Sequence, residues 1–515
     1  MEDLLDGWGL SLAAFIPLVG ALVVMAIPKA EETLIKVVAL ATSLVVFAVG
    51  ILVACFFDYD RTKDLQFVVE HPWIDVINSN FIVGVDGMSL PLLLLTVFIV
   101  PLTIIYSWNH FPEPHNPKAF LALILILEMG MVGSFIAQDL ILFFVFFEVV
   151  LLPMYFMIGV WGGEQRQYAS IKFFLYTLFG SALMIVAFLS IYFLSQQHGV
   201  APEQAFDMRA LSAWGGAGLA TTTAVIIFGG MFMGFGIKVP MFPFHTWLPD
   251  AHTQAPTVGS VILAAVLLKL GTYGFIRIAI PILPEAAQEW APWIGGLAVI
   301  GIIYGALGCL AQTDMKRLIA FSSVAHMGYV MLGIATLTDF GINAAIFGMV
   351  AHGLITGMLF FIAGSVKDRY HTLEIKRLGG LLLQAPRMGW LLAFSVMASL
   401  GLPGLAGFWG EFPAILSAYN PGGGSSEELF RVYMVVAAIG TIFAAGYLLW
   451  LLQRVAFGIP KEEFAEEHVH DMHLTDYLAW APMIVLIAVL GVYPQILFRV
   501  TDGAVIQSLS AIAGP

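Results

Sequence analysis

GFGIKVPMFPFHTWLPDAHTQAPT, residues 234–257, decides how the rest of this chain is read. It continues an apolar run, AVIIFGGMFM (224–233), yet it carries Lys238 and prolines at 240, 243, 249 and 256. Proline removes a backbone donor and clashes with the preceding turn, so the spacing predicts a helix that breaks just after Lys238. Non-helical backbone at membrane depth is tolerated only where protein or a water-filled cavity satisfies the freed groups. Lys238 is therefore expected to face a hydrated interior rather than lipid.

Composition carries the same reading outward. Hydrophobic residues make up 60% of the 515, charged residues only 11%, and long apolar runs recur from end to end. That excludes an ordinary soluble domain. The runs predict an all-α polytopic membrane protein of about fourteen spans: 9–27, 33–57, 88–106, 118–137, 139–161, 170–195, 220–243, 257–282, 291–312, 317–336, 341–365, 388–418, 431–457 and 477–499. Sorting Lys and Arg by loop puts fourteen on one side, among them Lys118, Lys172, Lys316 and Lys367, and six on the other, including Arg209 and Arg277. With the two intramembrane lysines these account for all 22. The positive-inside rule then places both termini on the periplasmic side. The acidic start, MEDLLDGWGL, lacks the basic region of a secretory signal, so the first span is expected to be retained.

A second interruption echoes the first. Gly401, Pro403, Gly404 and Gly407 break SLGLPGLAGFWGEF, and Glu411 follows that break as Lys238 accompanies the other. Paired broken segments in corresponding halves mark inverted-repeat transporters. The expected architecture is two inverted repeats of five helices, 118–282 and 291–457, with spans 7 and 12 broken. A three-helix segment (1–117) precedes them, and a loop and last helix (458–515) follow.

Four ionisable groups fall inside apolar spans: Glu148 in LILFFVFFEVVLLPMYF (140–156), Lys238, Lys269 in VGSVILAAVLLKLGTYGF (258–275), and Glu411. Each costs at least ~2.5–3.5 kcal/mol at the bilayer centre, and such groups line ion or proton pathways. Burial favours the neutral forms of a carboxyl and an ammonium, whereas pairing favours the charged forms. A Glu148–Lys238 ion pair held between those tendencies would change protonation when either partner moves. His326 and His352, with an ordinary pKa near ~6.5, suit a relay. In chain order the carriers become Glu148, Lys238, Lys269, His326, His352 and Glu411. Glu128, in LILILEMGMVGS, reads as a second carboxylate near Glu148 or as a helix-contact residue.

Other polar residues read more plainly. His245 and His252 have no metal-site company and are expected to bond loop backbone or give access from the cytoplasmic side. Asp86 and Asp139 sit at span ends, where carboxylates cap helices. The run KEEFAEEHVHDMH (461–473), with His468, His470 and His473, reads as a solvated loop. Cys55 and Cys309 offer neither a disulfide framework nor a metal spacing. No phosphate-binding loop, dinucleotide fingerprint or cysteine cluster occurs, so no cofactor, metal or nucleic-acid site is expected in this chain.

Several stretches resemble the antiporter-type membrane subunits of respiratory complex I: FFVFFEVVLLPMYFMIGVWGG (143–163), YASIKFFLYTLFGS (168–181), residues 234–257, and DMKRLIAFSSVAHMGYV (314–330). The glutamate of GFWGEF resembles the M-type branch, the mitochondrial subunit-four type. The resemblance implies a proton-translocating subunit of an NADH:quinone oxidoreductase in a bacterial inner membrane or its equivalent. Protons would pass from cytoplasm to periplasm through Glu148, Lys238, Lys269, His326, His352 and Glu411. It implies flanking antiporter-like subunits and lipid as neighbours, with NADH, flavin, iron–sulfur clusters and quinone bound in partner subunits. Two alternatives stay open: an Mrp-type antiporter or hydrogenase-linked pump subunit, and a membrane scaffold that moves no ions.

Overall fold

The structure, a computed structural model, describes residues 5–464 and 469–513. Among them, thirteen helices are long and apolar enough to cross a membrane. These are α1 (Leu5–Ala26), α2 (Glu32–Phe56), α3 (Leu90–Ser107), α4 (Pro117–Ile136), α5 (Leu140–Trp161), α6 (Arg166–Gln197), α7 (Thr221–Lys238), α9 (Thr257–Ile282), α10 (Pro284–Leu310), α11 (Met315–Ala335), α12 (Asp339–Tyr370), α15 (Glu427–Val455) and α16 (Leu474–Val492). Among the shorter helices are α8 (Trp247–Gln254), α13 (Pro386–Ser399), α14 (Ala406–Ser417) and α17 (Gln495–Ser508). The chain is thus an all-α polytopic membrane fold.

Proline and glycine explain where the helices depart from the expected boundaries. The stretch 388–418, expected as one span, is two short helices, because Gly401 and Gly404 take positive φ around Pro403. The last expected span, 477–499, stops at Val492, since a residue before proline is pushed out of the helical region and Pro494 follows Tyr493. At the other extreme α10 begins at Pro284, earlier than the expected 291, with proline in the first turn where its missing N–H costs nothing.

The helices sort into an inner and an outer set. α9, α11 and α12 are almost wholly enclosed, whereas α2, α6, α15 and α16 bury less than half of their apolar windows. Leu175, Phe179, Val186, Ile442 and Val485 point outward from that outer set, the pattern of a lipid-facing surface. Two glycines permit the inner contacts. A methyl group on Gly410 of α14 would fall 2.4 Å from Cα of Gly348 on α12, and one on Gly271 of α9 only 2.5 Å from the Phe235 carbonyl oxygen of α7.

One element lies outside the all-helical expectation. Strands β1 (Gln66–Ile74) and β2 (Ser79–Val85) form an antiparallel hairpin, with Val69 opposite Val83 and His71 opposite Phe81. Asp139 pins it: the carboxylate caps α5 at Ile141 N and Leu142 N and also accepts from Ser79 Oγ and Asn80 N. Asp86 accepts from Met88 N and Ser89 N in the turn that leads into α3 while holding Arg277 at 2.5 Å. Asp139 is thus the helix cap expected of it, whereas Asp86 bonds the turn ahead of its helix, whose N-cap position is Ser89; each has a second task that sequence did not announce.

At the end carrying Lys118, Lys316 and Lys367, a histidine clasps three segments. His110 Nδ1 contacts Asp368 at 2.6 Å, and Nε2 contacts Asp476 at 2.9 Å, on α12 and α16 respectively. Its ring stacks on Tyr106 at 4.3 Å, and Arg369 holds the other oxygen of Asp476. Burial disfavours the charged imidazole, but the two carboxylates outweigh it and raise the His110 pKa above its usual value. His470 and His473 stack nearby at 4.3 Å; His468 lies outside the described residues.

Candidate functional site

Four inner helices bring the expected carriers to the middle of the fold. Lys269 sits on α9 between two π-helical turns, Leu263–Leu267 and Phe275–Ala279. Such wide turns interrupt the regular helical hydrogen-bond ladder. Lys269 Nζ donates to the Ala264 carbonyl at 2.5 Å, five residues back. The same ammonium lies 2.7 Å from His352 Nδ1 on α12. Lys269 is wholly buried, with the apolar residues of α9 around it.

The second contact joins α11 to α14. His326 Nδ1 meets Glu411 Oε1 at 2.5 Å, and His326 Nε2 faces Ser399 Oγ at 3.1 Å and the Tyr447 hydroxyl at 3.3 Å. The break between α13 and α14 positions this group. Ser399 ends one short helix and Glu411 stands in the next, so both converge on one imidazole. The His326 and His352 rings are 6.0 Å apart, and a cavity of about 20 Å³ is lined by both, with Glu411 and Ser399. In space the order is therefore Lys269, His352, His326, Glu411. The chain-order expectation had the two histidines the other way round, because α12 rather than α11 packs against the Lys269 turn.

Glu148 and Lys238 are arranged differently. Lys238 ends α7 as the broken span requires, 2% exposed, and Trp247 Nε1 folds the chain back onto the Ile237 carbonyl at 3.0 Å. Its Nζ lies over the Phe147 ring, 4.7 Å from the centroid, a cation–π contact. Glu148, the next residue on α5, is half-buried, within the electrostatic reach of Lys238 and beside Ser181. No Glu148–Lys238 ion pair within 4.0 Å forms among the described residues, so the expected pair acts across a gap. Lys238 and Lys269 make no direct contact either, although Gly271 brings their helices together. Glu128 on α4 is wholly buried, and neither carboxylate oxygen has a hydrogen-bond partner.

Three groups sit in a setting that sequence reasoning did not give them. Lys316, counted as a loop lysine, is only 4% exposed, and its Nζ donates to the Ala255 carbonyl at 2.5 Å. His252 does not bond loop backbone through its ring: it is wholly buried, stacked on Phe360 at 4.5 Å, with both ring nitrogens unpartnered among the described residues, and the alternative of access from the cytoplasmic side stays open. The available signal was the position of Lys316 at the head of a strongly apolar helix capped by Asp314. Arg277, assigned to an outer loop, is instead drawn into the end of α9 by Asp86 and Tyr273.

An enclosed set of charges on π-turned and broken helices defines an antiporter-type membrane subunit. Residues 137–440 match the family described as NADH:quinone oxidoreductase/Mrp antiporter, transmembrane, and residues 12–134 match NADH-ubiquinone oxidoreductase chain 4, amino terminus. The chain belongs to the subunit M, or chain 4, family of NADH-quinone oxidoreductases. NADH-quinone oxidoreductase subunit M of Rhodobacter capsulatus is 40% identical over 500 residues, 96% of this chain and 94% of that protein. NADH-ubiquinone oxidoreductase chain 4 of Marchantia polymorpha is 38% identical over 488 residues, 95% of this chain and 94% of that one. Among solved structures, a chain of respiratory complex I from Thermus thermophilus superposes with a TM-score of 0.86 at 28% identity, covering 98% of this chain and all of that one. A chain of the Mrp complex from Dietzia shares the fold, with a TM-score of 0.82 at 21% identity over 98% of this chain and 99% of that one.

Proposed function

We propose that this chain carries protons from cytoplasm to periplasm as a membrane subunit of an NADH:quinone oxidoreductase, through Glu148, Lys238, Lys269, His352, His326 and Glu411. The observation that carries this reading is the pair of close contacts, Lys269–His352 at 2.7 Å and His326–Glu411 at 2.5 Å, with 6.0 Å between the two rings. A cavity of about 20 Å³ between them is large enough for one water, which needs ~10–15 Å³. A proton can therefore pass from α9 to α14 by short steps between titratable groups.

Glu148 and Lys238 serve as the control element. When a neighbouring subunit changes the charge or position of either, the field on Lys238 changes, and its proton is exchanged with Lys269. The histidines hand a proton on to Glu411, which releases it at the periplasmic side. Moving each charge against 100 mV costs about 2.3 kcal/mol, which quinone reduction in partner subunits supplies. NADH, flavin, iron–sulfur clusters and quinone bind in those partners, and flanking antiporter-like subunits adjoin this one.

The relay is housed in two inverted repeats, 118–282 and 291–457. Supporting this are the third helices of the two halves, α6 and α12, each 32 residues long, and the broken fourth span that follows each. Both termini lie on the periplasmic side, as the 14-to-6 distribution of basic residues favours.

The test is donor:quinone reductase activity and proton uptake measured together in inverted vesicles carrying Glu148→Gln. Both should collapse while the complex stays assembled. Wild-type levels of both would sink the reading and leave a scaffold role in its place.

A further inference from the structure

The relay needs a source of protons, and Glu148 is separated from Lys269 by two gaps without direct contact. A different route leads to Lys269 from the basic face of the protein. A cavity of about 300 Å³ opens there between the α3–α4 connection, the turn after α8, and the ends of α11 and α12. Glu113, Lys367 and Asp368 stand exposed at its rim, and His110, held by Asp368 and Asp476, forms one wall. Lys316 lines its inner part.

Two features of Lys316 and His252 are costly for a purely structural role. Lys316 is buried, yet among the described residues only one partner, the Ala255 carbonyl, receives any of its three ammonium hydrogens, and no carboxylate of theirs lies within 4.0 Å. An unpaired buried ammonium is expensive, and a neutral donor would cap the last turn of α8 at less cost. His252, three residues before Ala255, leaves two ring nitrogens without hydrogen bonds in a fully buried site, against the strong tendency of buried polar groups to find partners. The fields that reach His252 come from Lys316 and Lys269, and His352 in turn lies in the field of His252. Both the cavity lysine and the central lysine are thus near enough to act electrostatically on His252.

We propose that the Lys316 cavity is the cytoplasmic proton intake, and that Lys316 and then His252 deliver protons to Lys269 without passing through Glu148. This rests on the reading of Lys269 as a proton carrier. In each transfer one N–H bond breaks and one forms: Lys316 gives a proton to the free ring nitrogen of His252, His252 gives one to neutral Lys269, and water in the cavity reprotonates Lys316. Glu148 and Lys238 act on this intake through their field, beside the exchange of Lys238 with Lys269. Lys316 and His252 are shielded from bulk water, so protons can enter only through the cavity.

Lys316→Arg separates transfer from structure. Arginine keeps the charge and can bond the Ala255 carbonyl, but it does not release its proton in the physiological range. In assembled complexes in inverted vesicles, proton uptake and quinone reductase activity should both fall on the order of tenfold or more, in line with the loss of a proton-transfer group. Wild-type uptake in Lys316→Arg would overturn the proposal and leave Lys316 as a helix cap. A second arm does not depend on that variant assembling. Lys367→Cys at the rim is reacted with a bulky maleimide from the exposed cytoplasmic face, and labelled vesicles are compared with unlabelled ones of the same variant. Labelling should slow uptake, whereas equal rates at complete labelling would overturn the intake. Lys269→Met distinguishes the two levels of failure. If it pumps normally, the relay falls and takes the intake with it. If it is inactive while labelled Lys367→Cys and Lys316→Arg pump normally, the intake alone is wrong.

Discussion

The two halves of the charge series differ in how their members meet. From Lys269 to Glu411 the groups touch in pairs, at 2.7 and 2.5 Å, with the histidine rings between them. Glu148 and Lys238 do not touch: Lys238 lies instead over the face of Phe147. A contact permits transfer of a proton, whereas a gap at membrane depth permits a field to act without one. In the low-dielectric interior that field weakens slowly with distance. Under the proposed function, the touching groups form the conducting segment and the separated pair the sensing one.

Shortening each carboxylate by one methylene breaks this comparison most sharply. Glu411→Asp withdraws the oxygen from His326 and should cut proton uptake by on the order of a hundredfold, since a positioned proton-transfer group is lost. Glu148→Asp keeps its charge near Lys238, where no contact exists to lose, and uptake should change about threefold or less. Paired uptake measurements on the two variants decide it. Equal losses would mean that Glu148 also works by contact and that the gap closes during turnover.

A smaller effect concerns the packing that holds the segments together. Gly271→Ala would place a methyl 2.5 Å from the Phe235 carbonyl and 3.1 Å from Cβ of Lys238, forcing α7 away from α9. Overpacking of this kind costs about 1–3 kcal/mol. Thermal unfolding of the assembled complex should shift down, and coupling between Lys238 and Lys269 should weaken with it. An unchanged transition would show that the two helices part freely.

The smallest effect lies outside the relay. His110 has a raised pKa in the fold, so its clasp on Asp368 and Asp476 is strongest below the ordinary histidine value and is lost as pH rises through the raised one. His110→Gln should lower stability by about 1–3 kcal/mol at acidic to neutral pH and remove that stretch of pH dependence. Melting curves from acidic to mildly alkaline pH would show it. A variant with the full wild-type pH dependence would place the titrating group elsewhere.

Much of this was legible in the residues. Apolar run length set the spans, because a bilayer of fixed thickness demands it. Proline and glycine spacing set the breaks after Lys238 and before Glu411, because both act on the local backbone. The charges themselves stood out against an apolar background. What escaped were matters of distance. The hairpin at 66–85 carries only a short, mixed pattern, and its anchor, Asp139, is some sixty residues away. Lys316 reads as a loop residue because the local sequence cannot show that the turn after α8 folds over it.

By itself the sequence determined an all-helical membrane protein with six titratable groups inside apolar spans and two interrupted spans, since hydropathy, proline and charge are local properties. Only the tertiary structure decided that His352 rather than His326 meets Lys269, that Glu148 and Lys238 stand apart, and that Lys316 and His252 are buried. Those are relations between helices tens of residues apart in sequence, such as the 83 between Lys269 and His352 and the 85 between His326 and Glu411, fixed by which faces pack. Close approach at Gly271 and Gly410 sets those faces, and no periodicity along the chain encodes it.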